Sequence, residues 1–189
     1  MEKAARRVAD QLLLATCAAS DNAAAALTER RLREAALRFV LAGPGGAIAA
    51  AREGVATLLA ESGADGAVVA VMDLPRVGVA EILVAGEHCG VGLVLPACDA
   101  LLAPLSAALR GGRALEHPSG DRDALPATAV AAIEAAGVRS LRWSLRPLDD
   151  GRVFVVALHS AREPRYWTPQ RRQFHDGIAE ILAAALPWL

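Results

Sequence analysis

The sequence lacks the features that mark disulfide-stabilised, zinc-binding and membrane-spanning proteins. It has three cysteines, Cys17, Cys89 and Cys98, and no two of them have the C-x-x-C spacing. An odd number of scattered cysteines favours neither a disulfide framework nor a zinc ribbon, and it is typical of a reducing compartment. No apolar run approaches the ~18 to 20 residues that a membrane-spanning helix requires. We therefore predict a cytoplasmic protein that is not embedded in a membrane.

The chain also lacks an excess of charge of either sign. Its 189 residues include 20 basic and 21 acidic side chains, which gives a formal net charge of −1. Because there is no strong positive field, we expect neither a nucleic acid nor an anionic membrane as partner. The only lysine is Lys3 and all other basic residues are arginine. This bias is typical of proteins from GC-rich bacterial genomes.

Common catalytic and nucleotide-binding motifs are missing as well. The four histidines form neither an i,i+4 pair nor an H-E-x-x-H motif: His88, His117, His159 and His175. Ser160 lacks the G-x-S-x-G setting of a hydrolase nucleophile. The glycine-rich stretch 43–46 lacks the Lys-Ser/Thr pair of a P-loop, so it predicts a break between two helices. We predict that the protein is not an enzyme and that His159 has a structural or surface role.

The C-terminal quarter carries the clearest pattern, a strand, a tight turn and a second strand. Residues 140–146 alternate, with Leu141, Trp143 and Leu145 on one face and four polar residues on the other. Residues 153–158 are apolar on both faces, which predicts a central strand that is covered on both sides. The sequence Asp149-Asp150-Gly151 lies between them and favours a tight turn. We therefore predict an antiparallel hairpin.

A capped amphipathic helix follows this hairpin. Thr168 offers an N-cap hydroxyl, Pro169 fits the first helical position, and Pro187 ends the pattern. One apolar stripe is predicted to face the protein core: Phe174, Ile178, Ile181, Leu182 and Ala185.

The rest of the chain alternates between helical and strand patterns. We predict helices at residues 4–19, 22–42, 47–62, 100–109 and 126–136, and strands at residues 66–73, 79–85 and 113–116. In the second helix Leu32, Ala36, Phe39 and Val40 fall on one stripe, and Glu81 is predicted to be exposed on an edge strand. This order favours an α+β fold, an antiparallel sheet with helices on both faces.

The C-terminal quarter resembles a GAF domain, a small ligand-sensing α/β module. The matching features are Gly137-Val138-Arg139-Ser140, the Pro147-Leu148 strand end, the Asp150-Gly151 turn, the apolar strand, Arg162-x-x-x-x-Trp167-Thr168 and the closing helix. The resemblance is strongest over residues 137–186 and extends to residues 45–189. It implies a GAF/PAS-like sheet of about five to six strands with helices on both faces. Residues 1–44 then form a helical extension for dimerisation or signalling.

The resemblance further implies a bacterial sensory domain that holds a small organic or anionic ligand between the sheet and the middle helices. It also implies a homodimer formed through the N-terminal and C-terminal helices. If Leu141, Trp143 and Leu145 face the layer of terminal helices, the polar face of the same strand lines the cavity. Arg142 is then the candidate to bind a ligand carboxylate or phosphate, with Ser144 and Ser140 beside it. The alternative is that this polar face is open to water.

His88 and Cys89 are further candidate ligand-binding residues, in a loop over the pocket. Such a pair can act as a nucleophile, as metal ligands or as a bilin attachment point. In bilin-binding members a histidine follows the attachment cysteine, whereas Gly90 follows Cys89 in this chain. A plain turn is the alternative, and the sequence does not identify a cofactor.

Two other functions remain open from the sequence. The chain could be a dimerisation or interaction module with a vestigial pocket. It could also resemble the GAF-type enzymes that reduce free methionine sulfoxide with cysteines at the pocket, in which case Cys89 and Cys98 are the candidates.

Overall fold

The computed structural model describes residues 23–73, 78–87, 98–112, 114–118, 125–164 and 166–189. The helices are α1 (Ala23–Ser62), α2 (Cys98–Arg110), α3 (Ala127–Ala135) and α4 (Pro169–Ala185), and a 3-10 turn follows at Leu186–Trp188. The strands are β1 (Gly66–Asp73), β2 (Gly78–Gly86), β3 (Leu115–His117), β4 (Ser140–Pro147) and β5 (Val153–Ser160). This order of elements is the predicted one. The predicted helix 4–19 lies outside the described residues.

The five strands form one antiparallel sheet in the order β2-β1-β5-β4-β3. The predicted hairpin is confirmed, since β4 pairs with β5 and Ser144 lies opposite Val156. Its turn contains Gly151 at a φ of 83°, and the Leu148 N–H donates to the Arg152 carbonyl across it at 2.8 Å. Every residue of β5 is buried, as expected for a central strand. β2 is an edge strand with Glu81 exposed, which was also predicted.

Helix α1 is two helical arms that reverse direction at Gly43. This residue has a φ of 59° and a ψ of −169°, which is not helical and lies in a region that favours glycine. Ion pairs join Arg31 to Glu61 and Arg38 to Glu53. In an unbroken helix these pairs would lie about 45 Å and about 22 Å apart. The break predicted at residues 43–46 is therefore confirmed, and the two arms run antiparallel.

The described chain divides into two compact units, and the first contains α1 and α4. It comprises the described residues up to Ser62 together with Trp167–Leu189. The stripe predicted on α4 is buried throughout, and Leu32, Ala36 and Phe39 of α1 are buried as well. Thr168 caps α4 as predicted, because its Oγ1 accepts from the Arg171 N–H at 3.3 Å. The predicted division at residue 44 stays a prediction.

The second unit, Gly63–Tyr166, contains the sheet and the middle helices. One face of the sheet packs against α2 and α3 in a single apolar cluster that includes Leu101, Leu105, Ala129, Ile133, Leu141, Trp143 and Leu145. The orientation expected for β4 is therefore wrong, because its apolar face lies against the middle helices. The large indole of Trp143 fills the space between sheet and helices. The polar face of β4 points away from them.

Among the described residues, no helix combines the length and the hydropathy that crossing a membrane requires.

Candidate functional site

The polar face of β4 is buried and carries its own counter-charge. Ser140, Arg142 and Ser144 are all buried, so the alternative of a water-exposed face is wrong. Glu116 of β3 lies opposite Arg142 in the sheet, and its Oε2 accepts a hydrogen bond from the guanidinium. The side chains of this ion pair are 4% and 11% exposed. A buried guanidinium needs an anionic partner, and here the protein supplies one.

The three β4 residues thus lie together, but on the sheet face opposite α2 and α3. Their position does not call for a ligand carboxylate, and their ligand-binding role stays a prediction. His88 and Cys89 lie outside the described residues, and so does the side chain of Cys98. The sulfoxide reductase hypothesis therefore stays untested.

A different polar residue, His159, lies on the apolar face of the sheet. It is the penultimate residue of β5, pairs with Leu141 across the hairpin, and is 2% exposed. The Trp143 Nε1–H donates a hydrogen bond to His159 Nε2 at 2.8 Å, and the two ring centroids are 5.9 Å apart. The buried indole therefore has its acceptor, and the imidazole ring is fixed in orientation.

This hydrogen bond determines the protonation state of the imidazole. Burial lowers the pKa of His159 to about 4, so the ring is neutral near pH 7. Because the indole N–H can only donate, Nε2 must carry no proton and Nδ1 must carry it. Nδ1 exposes less than 1 Å² and has no hydrogen-bond partner among the described residues. A buried donor left unsatisfied costs about 1–3 kcal/mol.

His159 also lines a cleft at one end of the sheet, with a volume of about 340 Å³. The cleft lies where β1 begins, where β2 and β5 end, and where α3 leads into β4. Its lining residues are Asp65, Glu87, Ala136, Gly137, Val138, His159, Ala161 and Arg162. Ligand-binding pockets have volumes of roughly 300–1,000 Å³, so this cleft suits a small molecule.

Asp65 holds the wall of the cleft together. Its Oδ2 accepts from the backbone N–H groups of Ala161 at 2.9 Å and Arg162 at 3.0 Å. Its own N–H donates to the His159 carbonyl, and its carbonyl accepts from the Glu87 N–H, each at 2.9 Å. These bonds tie the ends of β1, β2 and β5 to one another beside His159.

The charge of the lining favours some ligands over others. Arg162 forms an ion pair with Glu87, and both side chains are exposed at 63% and 67%. Asp65 adds a second carboxylate, and the C-terminal end of α3 at Ala136 adds partial negative charge. The lining is therefore net negative, which favours a neutral or cationic molecule over an anion. Among the described residues, no group of three or more His, Cys, Asp or Glu side chains could hold a metal ion.

The sequence predictions missed this cleft. The one local signal was a histidine at the end of an otherwise apolar strand, for which a structural or surface role was predicted. The other lining residues come from segments far apart in the chain, since Asp65 contacts Ala161 across 96 positions. Only the pairing of β1 with β2 and β5 brings them together.

Comparison with solved structures shows what this fold is similar to. The chain is similar to the GAF3 domain of Slr1393 from Synechocystis sp. PCC6803 in its photoproduct state, with a TM-score of 0.53 and 10% identity. The match covers 72% of this chain and 92% of that one. At this identity the similarity shows the fold alone, and the fold is GAF-like.

Two structures of SdiA are also similar at 16% identity. One is the complex with octanoyl-rac-glycerol, with a TM-score of 0.46, covering 72% of this chain and 59% of that one. The other is Escherichia coli SdiA, with a TM-score of 0.43, covering 73% and 61%. The chain thus spans about three fifths of the SdiA structures. No protein-family model and no curated protein sequence matches the chain.

Proposed function

We propose that this chain is a regulatory domain that binds a small, uncharged or cationic organic molecule in the cleft beside His159. The observation that carries the proposal is the buried Nδ1–H of His159, a donor of fixed orientation on a residue that lines a cleft. A ligand carbonyl or ring nitrogen that accepts from Nδ1 removes the cost of the unsatisfied donor. The GAF-like fold supports a sensory role by analogy.

Binding requires a small change in the lining, because Nδ1 exposes almost no surface. The exposed Arg162–Glu87 ion pair is the part of the lining that moves most easily. Exposed ion pairs contribute about 0–1 kcal/mol, less than the ~1–3 kcal/mol recovered when a buried donor gains an acceptor. Opening the ion pair therefore costs less free energy than the new hydrogen bond to Nδ1 recovers.

The proposed role in regulation follows from where the cleft lies in the chain. Ala161 and Arg162 line it, and the segment that begins with them leads to Trp167 and to α4. A ligand that fixes Ala161 and Arg162 restrains the chain just before α4. We propose that binding changes the position of α4 in this way. We further propose that the domain acts in signal transduction in the bacterial cytoplasm and that it does so as a dimer. We assign it no catalytic step.

Three molecules of nearly equal shape test the binding proposal. Benzamide is neutral with a carbonyl acceptor, benzoate has the same shape with a negative charge, and benzamidine is cationic without a carbonyl. Amide NMR spectra of the full chain are recorded with each. We expect benzamide to shift the amide signals of Gly137, Val138 and Ala161 and to bind more tightly than either of the others, because it alone combines an acceptor with no negative charge.

Variants identify the site that binds benzamide. His159→Met keeps a weak sulfur acceptor for the Trp143 indole but has no N–H donor, so we expect it to lose the benzamide shifts. Ser144→Ala, on the opposite sheet face, should keep them. If His159→Met binds benzamide as the unaltered chain does, or if none of the three molecules shifts the amides of the cleft, the proposal is wrong.

A further inference from the structure

His159 lies between two groups of hydrogen-bond acceptors at the end of the sheet. The strand order β2-β1-β5-β4-β3 places β5, and with it His159, between β1 and β4. On the β1 side the cleft is lined by Asp65 and Glu87, which both carry a carboxylate. On the β4 side it is lined by Ala136 and Gly137, in the turn that follows α3. One donor is therefore flanked by acceptors on both sides.

Asp65 is the acceptor that we assign to the β1 side. Its Oδ2 accepts from the backbone N–H groups of Ala161 and Arg162, at 2.9 Å and 3.0 Å. These bonds hold the carboxylate beside the end of β5. A carboxylate has about four acceptor sites on its two oxygens, so it can bind a ligand N–H as well. Glu87, by contrast, is engaged by the guanidinium of Arg162.

The turn after α3 supplies the acceptors on the β4 side. The N–H groups of Ala136, Gly137 and Val138 donate to carbonyls in the last turn of α3, at 3.1, 2.9 and 3.1 Å. Within the described part of the chain, the carbonyls of Ala136 and Gly137 themselves accept from no backbone N–H group. The space beside the turn is open, because a Cβ built on Gly137 would meet no atom within 4 Å apart from its chain neighbours. This leaves room for a ligand N–H.

The chemical group that complements this arrangement is a carbonyl with an N–H on each side. Its oxygen accepts from His159, and its two N–H groups donate to Asp65 and to the turn after α3. A cyclic urea has this order of groups, because the ring holds both N–H bonds on the side of the carbonyl oxygen. The remainder of the ring then meets the apolar side chains in the lining, which are those of Ala136, Val138 and Ala161.

We propose that the cleft beside His159 is selective for cyclic ureas, five-membered rings in which an N–H flanks the carbonyl on each side. This inference rests on the proposed function, which itself requires only the carbonyl. It adds that Asp65 and the turn after α3 each accept one ligand N–H. A cyclic urea is also uncharged, which suits a lining that is net negative.

Three bicyclic molecules of the same shape test this selectivity. 2-Indanone has the carbonyl and no N–H, oxindole has one N–H beside it, and benzimidazol-2-one has one on each side. Amide NMR titrations of the full chain give a dissociation constant for each molecule. We expect each added N–H to lower the dissociation constant by about threefold to tenfold, because each gains one acceptor in the cleft.

Asp65→Asn tests the acceptor on the β1 side. The asparagine carbonyl can still accept from the N–H groups of Ala161 and Arg162, but the negative charge is lost. We expect benzimidazol-2-one to bind this variant no more tightly than oxindole does, because only the turn after α3 then accepts a ligand N–H. Glu163→Gln removes the same charge from an exposed side chain outside the lining, and it should leave the order of affinities unchanged. The titrations of the unaltered chain test the selectivity even if Asp65→Asn does not fold.

The outcomes separate this inference from the proposed function. Equal binding of the three molecules in the cleft overturns the selectivity and leaves the proposed function intact. If none of the three shifts the cleft amides, both are overturned. A urea carbonyl is also a stronger acceptor than a ketone carbonyl. If benzimidazol-2-one keeps its full advantage over oxindole in Asp65→Asn, acceptor strength explains the selectivity, and the role of Asp65 is overturned.

Discussion

Burying a histidine at the end of an apolar strand makes the stability of this fold depend on pH. His159 is neutral when folded, because its pKa is lowered by burial from 6.5 to about 4. As the pH falls, the unfolded chain therefore binds a proton before the folded chain does. The stabilising contribution is complete above pH 6.5 and is lost progressively as the pH falls to about 4.

The size of this loss can be measured with one variant. Each pKa unit corresponds to about 1.4 kcal/mol, so His159 should account for roughly 3 kcal/mol of the free energy of unfolding lost between pH 7 and pH 4. Urea unfolding at several pH values should show a shallower pH dependence for His159→Gln than for the unaltered chain. Equal slopes would show that His159 does not titrate in this way.

Arg142 shows what can and what cannot be predicted from the chemistry of a single residue. Its position in an alternating strand predicted a buried guanidinium in need of an anion, and that need is real. The anion is Glu116, which belongs to a strand of only three residues and shares no sequence pattern with β4. The chemistry of one residue could therefore be predicted from the sequence, whereas its partner could not.

At the level of elements, periodicity predicted which segments form helices and strands. The hairpin, the capped α4 and the break at residues 43–46 were all predicted, because each depends on residues close together in the chain. The face of β4 that packs against α2 and α3 was predicted wrongly. An alternating strand has two different faces, but the pattern does not say which pair of helices covers each one.

Close packing of α1 against α4 leads to a prediction at Gly177. A Cβ at this position would lie 2.5 Å from Leu32 Cδ1, closer than atoms can approach without a shift. Overpacking of this kind costs about 1–3 kcal/mol, which exceeds the ~1 kcal/mol that alanine gains over glycine in a helix. Gly177→Ala should therefore lower the free energy of unfolding, measured with urea.

Gly54 provides the matched control for this change. It also lies in a helix, but a Cβ there would meet no atom within 4 Å, so Gly54→Ala should stabilise the protein by about 0.5–1 kcal/mol. In a Leu32→Ala background the obstructing atoms are gone, and the cost of Gly177→Ala should fall. If Gly177→Ala stabilises the otherwise unaltered chain, the close approach of α1 and α4 at Leu32 is contradicted.

At the level of the whole molecule, the GAF-like fold was predicted from the resemblance of residues 137–186, and comparison with solved structures confirms it. The cleft was not predicted, because it exists only after the ends of β1, β2 and β5 have been tied together through Asp65. A lining assembled from four segments leaves no local pattern in the sequence apart from the histidine near the end of β5.

The central claim is that His159 presents a proton on Nδ1 to a ligand in this cleft. The most direct measurement is nitrogen-15 NMR of the imidazole side chains in the full chain near pH 7, with the His159 signals assigned from the His159→Gln variant. The account predicts a protonated Nδ1, an unprotonated Nε2, and an Nδ1–H signal that moves when benzamide is added and is unchanged by benzoate. A proton on Nε2, or an Nδ1–H signal that benzamide leaves in place, would contradict it.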